Sequence, residues 1–320
     1  MTNPSAADPR PGKIQPPSVI KHSEIRSVIN SLLDILKEPQ TFVDYLGKEA
    51  RALAEDLRTV PGIAGIAGLG YPFYAVDKTG KTVHVPEIPH FLEKTLHLLA
   101  TDERAHPGGW LCPHCQSQRN LPDLKTYCQP CPLVTFKPRD LFKALPDVDL
   151  VIFAENAGDI EPAVERMLAE RGYRQSDTNI ASSLKTTSAV LDTILGKQQD
   201  VGAKLPIDVH IWALPDVRRC LDAIARGEPR ASITSRSLHS RWEDNPLNFW
   251  FDFVFSLTEL VPSTPELAHN IARTRQALVE QLTDEEIISI VRASSERATR
   301  LLSHSEVERT LRERLQSWRA

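Results

Sequence analysis

The chain has 320 residues, with 38 Lys+Arg against 42 Asp+Glu for a net charge of −4, 41% hydrophobic residues and 25% charged residues. This is the composition of a soluble globular protein with ample length for a core, and it excludes a polycation that coats nucleic acid or anionic lipid, leaving room only for a local basic patch. No stretch approaches ~18 uninterrupted apolar residues; the most apolar run, 249–261, is broken by Asp252 and Glu259, so no membrane partner is expected.

Met1 to Pro17 carries five prolines and no apolar signal core. Residues 1–22 are therefore expected to be a disordered tail, and the protein cytoplasmic. From Ser23, apolar residues recur at helical spacing (Ile25, Val28, Ile29, Leu32, Leu33, Leu36), with Pro39 just past the end. A second helix is predicted from Thr41 to Arg58 on the stripe Phe42, Leu46, Ala50, Leu53, Ala54 and Leu57. Pro61-Gly62 breaks it. Residues 63–70 are apolar and glycine-rich, which reads as a buried strand entering a tight glycine turn. Residues 71–86 read as a hairpin turning over Asp77 to Gly80, followed by a helix from Pro89 to Ala100. Ala75 to Thr82 also fits a loose phosphate-loop pattern. A phosphate loop must open a helix, and the β-like stretch after Thr82 contains Pro86 and Pro89, so a hairpin turn is the better account.

Leu150 to Phe153 is an apolar strand, and 160–171 a helix with Ile160, Val164, Met167 and Leu168 on one face and Gly172 as its stop. Residues 174–189 read as a polar loop, 189–195 as a short helix or strand, and 205–212 as another strand. From Asp216 onward the pattern is mostly helical, with loops at 227–232 and 262–265. The aromatic run Trp242, Phe249, Trp250, Phe251, Phe253 and Phe255 is expected to pack the core side of the first C-terminal helix. The fold class is α/β (α+β): a mixed-sheet core followed by a helical region over 241–320.

Four of the five cysteines fall in one window, as Cys112-Pro113-His114-Cys115 and Cys128-Gln129-Pro130-Cys131. Each pair presents two thiolates to one ion, and two pairs close a tetrahedral shell with no position left for water. Cys112, Cys115, Cys128 and Cys131 are thus expected to bind a structural zinc as a zinc ribbon. His114, inside a pair, is left as a bystander. Lys125, Arg119 and Tyr127 between the pairs suit RNA or DNA contact, with a solvated stapled loop as the plainer alternative. Cys220 reads as a small buried hydrophobe in a helix.

Asp147 and Asp149 flank Val148 at the start of the Leu150 strand, and alternation puts both carboxylates on one face. Two carboxylates side by side repel unless cations neutralise them. A divalent metal does so, and hard oxygen ligands suit Mg²⁺ carrying a nucleoside triphosphate. Asp208, on the later strand, is a candidate third ligand. The plainer alternatives are turn chemistry at Pro146-Asp147, an arginine partner for Asp149 and an edge position for Asp208. Arg236 and Arg241 suit either phosphate or Glu243 and Asp244. Lys185, in the polar stretch, is either a solvated loop lysine or one that reaches a triphosphate.

The segment Asp147 to Phe153 resembles the paired-aspartate strand of the nucleotidyltransferase superfamily (the DNA polymerase β-like, minimal and antibiotic-modifying nucleotidyltransferases). The helix ending in Arg171-Gly172-Tyr173, the later strand with Asp208, and Val60 to Gly70 as opening strand and glycine turn resemble the family's order. The segment 232–242 and the helices after it resemble its C-terminal continuation, and the resemblance covers roughly 40–260. It implies a nucleotidyltransferase-like core over 23–71 and 145–240, with 72–144 an insertion carrying the zinc ribbon. It implies Mg²⁺ at Asp147, Asp149 and Asp208, or Asp208 as general base, with Gly68 and Gly70 letting backbone approach the phosphates and Lys185 reaching them. The implied reaction moves a nucleoside monophosphate from a nucleoside triphosphate to a hydroxyl acceptor, with nucleic acid or protein as possible acceptors. Tyr71 stands where the family's turn carries serine, and Asp147 lies far downstream of Gly70. A second expectation is therefore the same fold as a binding module without chemistry, its zinc ribbon recognising nucleic acid or a protein partner.

Overall fold

The computed structural model describes residues 39–69, 148–173, 180–199, 207–238, 242–295 and 305–320, with isolated positions before and between them. The expected tail, the hairpin at 71–86, the helix at 89–100, Gly70, the four clustered cysteines and Asp147 lie outside the described residues. So does most of the first expected helix, of which 30, 31 and 34 are helical.

Helix α1 (Pro39–Leu57) starts on proline, whose missing N–H would be unpaired in a first turn anyway. Leu46, Ala50, Leu53, Ala54 and Leu57 are buried along its stripe, as the 3.6-residue period requires. Strand β1 (Ile63–Leu69) follows. In chain order come β2 (Val148–Ala154), α2 (Ala157–Glu170), α3 (Ile180–Ile194) and β3 (Ile207–Ala213). Helix α4 (Leu214–Ala225), β4 (Ser232–Ser237) and β5 (Glu243–Asn248) continue the chain. A short helix α5 (Phe249–Phe251) then runs into a π-helical turn, Asp252–Ser256, before β6 (Thr258–Val261). The described chain ends in α6 (Pro265–Gln281), α7 (Asp284–Ser294) and α8 (Ser305–Arg319). Among the described residues no helix is long and apolar enough to cross a membrane.

The strands form one mixed sheet in the order β5-β4-β3-β2-β1-β6. Among the described strands only β2 and β3 run parallel, and α2 and α3 lie on the crossover that a parallel pair needs. The mixed α/β class agrees with the sequence pattern. β2 is buried along its length except for half-buried Asp149, as suits a strand covered on both faces. One face carries Ile66, Leu150, Ile152, Val209 and Ile211. Helix α2 is tied to the same side by Glu161, which accepts from Arg236 Nε of β4 at 2.5 Å. The other face carries Ala67, Leu69, Val151, Phe153 and Trp212 and packs with α4, α6, α7 and α8 in one cluster.

The expectation of a polar loop at 174–189 is corrected. Helix α3 begins at Ile180, so Lys185 sits in a helix. The helix buries Val190 and Leu191 while its first turns are rich in Ser and Thr, and burial of one short face outweighs their weak propensity. The helical reading after Asp216 is corrected as well, because β4, β5 and β6 interrupt it. Glu243 to Asn248, Glu-Asp-Asn-Pro-Leu-Asn, has no apolar alternation. It is an edge strand exposed at Glu243, Asp244, Asn245 and Pro246, held by pairing with β4. Arg236 pairs with Glu161 and Asp244, and Asp208 lies on an interior strand instead of an edge.

Of the aromatic run, Phe249, Trp250, Phe251 and Phe253 become core, Trp242 is half-buried, and the Phe255 side chain lies outside the described residues. Phe153 meets Trp212 edge-on at 6.0 Å between ring centres, Trp212 meets Phe249 at 5.5 Å, and Phe249 stacks on Phe253 at 5.5 Å. Gly65 leaves room for a close approach: a Cβ there would lie 2.5 Å from Ser263 Oγ and 3.3 Å from its Cα, so Ser263 would have to shift. Trp212 is fully buried, and its indole N–H has no partner among the described residues. Trp212→Ala should lower the unfolding free energy in urea by about 3–5 kcal/mol. Trp212→Phe should cost less, because it removes the unpaired donor together with part of the ring.

Candidate metal centre

The second residue of β2 is Asp149 and the second of β3 is Asp208, and the parallel register places them directly opposite each other. The same register aligns Val151 with His210 and Phe153 with Trp212. Alternation puts all six on one face, so this face grades from acidic at the strand starts to aromatic two pairs further along. Leu69, the last residue of β1, pairs with Asp149 on the other side.

Asp149, Asp208 and His210 form a cluster in which one ligand atom from each lies within 4.8 Å of the others, and all three are half-buried. His210 Nε2 is 3.2 Å from Asp208 Oδ2, and the two side chains are each 17% exposed. The other imidazole nitrogen, Nδ1, is 2.9 Å from Ser235 Oγ. Ser237 Oγ donates to Asp208 Oδ1 at 2.8 Å. Ser235 and Ser237 occupy inward positions of β4, where a hydroxyl without a partner would be costly to bury. His210 and Asp208 satisfy them.

The donor set fits one divalent cation. Two ligands of a shared ion, each about 2.0–2.3 Å from it, lie about 2.8–3.3 Å apart in adjacent positions and about 4–4.6 Å apart in opposed ones. The 3.2 Å between His210 Nε2 and Asp208 Oδ2 matches two adjacent positions, and the Asp149 ligand atom lies within 4.8 Å of both residues' ligand atoms. Two carboxylates and an imidazole supply three protein ligands, fewer than the roughly six positions of a hard dication.

Of the residues expected from the sequence, the structure brings Asp149 and Asp208 together. Asp147 and Gly70 lie outside the described residues, as do Cys112, Cys115, Cys128 and Cys131. Gly68 is buried inside β1, paired with Leu150 on one side and Thr258 on the other, so its backbone belongs to the ladder and not to a turn. It shares the sheet face of Leu150, opposite to Asp149. Lys185 lies in α3, and its side chain is not described.

His210, Ser235 and Ser237 were missed from the sequence. The signal for His210 is Asp208-Val209-His210, which repeats the polar alternation of Asp147-Val148-Asp149 on a strand that is otherwise apolar. Cys220 is excluded as a reactive group. It is buried in α4, its Sγ lies 3.2 Å from the Ser232 carbonyl oxygen, and burial pushes the thiol up to about 11.

No protein-family model matches the chain, and neither the curated proteins nor the solved structures give a match.

A cation that binds only the folded chain must stabilise it, by about 2.7 kcal/mol at a hundredfold excess over its dissociation constant. Thermal or urea melts with added Mn²⁺ or Mg²⁺ should show this gain for the native sequence. Asp208→Asn should lose it.

Proposed function

We propose that this protein is a nucleotidyltransferase-like enzyme whose acidic pair, Asp149 and Asp208, holds a divalent cation against a nucleoside triphosphate. The observation that carries this reading is the in-register pairing of Asp149 with Asp208 on adjacent parallel strands. The order of elements supports it: a helix and strand before the acidic strand, then helices and a second acidic strand, all in one mixed sheet. Asp147, two positions before Asp149, would complete the carboxylate set. The cation would neutralise phosphate charge and orient the triphosphate for in-line attack.

The chain's own groups have distinct roles. The acceptor hydroxyl oxygen attacks the α-phosphorus, forming a new P–O ester bond. The bond from that phosphorus to the β-phosphate bridging oxygen breaks, and pyrophosphate leaves. The hydroxyl proton passes to a carboxylate at the strand starts. Asp208, in its alternative role as general base and not as a ligand, is suited to receive it, because Ser237 donates to its Oδ1 and holds the carboxylate in place. Cys112, Cys115, Cys128 and Cys131 would hold a structural zinc that takes no part in this chemistry, because a closed thiolate shell has no open position.

Labelled nucleoside triphosphate, divalent cation, the full chain and a cell lysate as acceptor source should yield a labelled acceptor and free pyrophosphate. Asp149→Asn should lower that yield by about 100-fold or more, the scale on which lost charge stabilisation acts. Transfer unchanged in Asp149→Asn rejects the assignment. Nucleotide binding without turnover in the native chain would instead favour the binding-module reading, for which Tyr71 after Gly70 is the sequence observation.

The zinc assignment has its own measurement. Elemental analysis of the purified protein should find about one zinc per chain. Cys112→Ser should lose it.

A further inference from the structure

We propose that His210 decides which cation the acidic pair accepts, giving the site a preference for Mn²⁺ over Mg²⁺, and that Ser235 positions His210 for this role. The inference rests on the reading of Asp149 and Asp208 as cation ligands. A pair of carboxylates alone does not discriminate strongly between Mg²⁺ and Mn²⁺, since both are well served by oxygen donors. An imidazole nitrogen changes that balance. Mg²⁺ favours oxygen and sheds its water reluctantly, whereas first-row transition dications take nitrogen readily. Mn²⁺ is the dication of that row that also suits a carboxylate-rich shell.

The geometry places the nitrogen where it can act. His210 is two residues beyond Asp208 on the same strand and face, and its Nε2 lies 3.2 Å from Asp208 Oδ2. Two adjacent ligands at about 2.2 Å from one ion would stand about 3.1 Å apart, so both atoms can share an ion without moving the strand. Asp149 approaches from the neighbouring strand, with its ligand atom within 4.8 Å of both.

Ser235 supplies the orientation. It is fully buried on β4, the strand next to β3, and its Oγ is 2.9 Å from His210 Nδ1. When Nδ1 carries the ring proton it donates to this oxygen, and Nε2 presents its lone pair toward the carboxylates. A ligating histidine held this way through its second nitrogen has both its tautomer and its ring plane set. Ser235 does not itself touch the ion, so it is a positioning residue.

The test uses the full chain, stripped of divalent ions and then titrated with Mn²⁺ followed by electron paramagnetic resonance, with Mg²⁺ as competitor. The native chain should bind Mn²⁺ at least ~10-fold more tightly than Mg²⁺. His210→Asn should weaken Mn²⁺ by about 10–100-fold while Mg²⁺ affinity stays within about 3-fold, and Ser235→Ala should weaken Mn²⁺ by about 10-fold with His210 intact. His210→Gln, with circular dichroism of every variant, separates loss of the ligand from loss of the fold. Equal Mn²⁺ and Mg²⁺ affinity in the native chain overturns the inference. So does an unchanged Mn²⁺ affinity in the folded His210 variants, and in both cases the acidic pair remains a cation site if Asp149→Asn still abolishes binding. Mn²⁺ binding that survives Asp149→Asn and Asp208→Asn, or no divalent binding at all, overturns the underlying site together with the inference.

Discussion

The structure turns on the parallel pairing of β2 with β3. Their register, Asp149 against Asp208 and Phe153 against Trp212, is one alignment read at two ends. At one end the aromatic rings lock together and continue through Phe249 and Phe253 into the C-terminal layer. At the other end the same alignment forces two carboxylates into neighbouring positions. A slip of one residue would turn Trp212 out of the core, so the packing that stabilises the sheet also prevents the acids from separating.

This arrangement explains the polar residues of β4. Ser235 and Ser237 point into the sheet's packed face, where apolar residues would ordinarily sit. Each is satisfied by a residue of β3: Ser235 by His210 and Ser237 by Asp208. A network of this kind is worth keeping only when every member is paired, because each unmatched hydroxyl or carboxylate would face a low-dielectric surround. The opposite face of β4 has different partners. Arg236 reaches Glu161 of α2, and Trp242, at a φ of 61° in the turn to β5, donates its indole N–H to Glu165 at 2.6 Å. β4 is thus tied to the helices on one side and to the acidic cluster on the other.

The C-terminal helices complete the layer over the aromatic end. Arg314 of α8 donates to the Leu257 carbonyl oxygen at 2.9 Å, and Trp318 lies 6.4 Å from the Phe253 ring. Arg275 of α6 lies over both Phe253 and Trp318. Burial, with Arg275 nearby, brings the Arg314 guanidinium down to about 10. Charge is therefore drawn into the packing of α6 and α8, while the strand starts keep their acidic side half-open.

The helices with a clean apolar period were legible in the sequence. The stripe of α1 and the face of α2 around Ile160, Val164 and Leu168 are buried as their spacing requires. The strands β1, β2 and β3 announced themselves as short apolar runs, because strands covered on both faces carry little else. The acids Asp149 and Asp208 stood out for the same reason, as charges where such runs begin. What the chain order could not express was who lies beside whom. β4 and β5 carry Ser, Thr, Arg, Asp and Asn inside a stretch that reads as mostly helical; they are strands because neighbours supply their hydrogen bonds. α3 begins within a Ser/Thr-rich stretch that tertiary burial makes helical. His210 became part of the site only when the register set its ring beside Asp208 and a serine from another strand closed on its far nitrogen. Local periodicity is written into consecutive residues, but a cluster of two carboxylates and an imidazole depends on distances between strands, and only the folded sheet sets those.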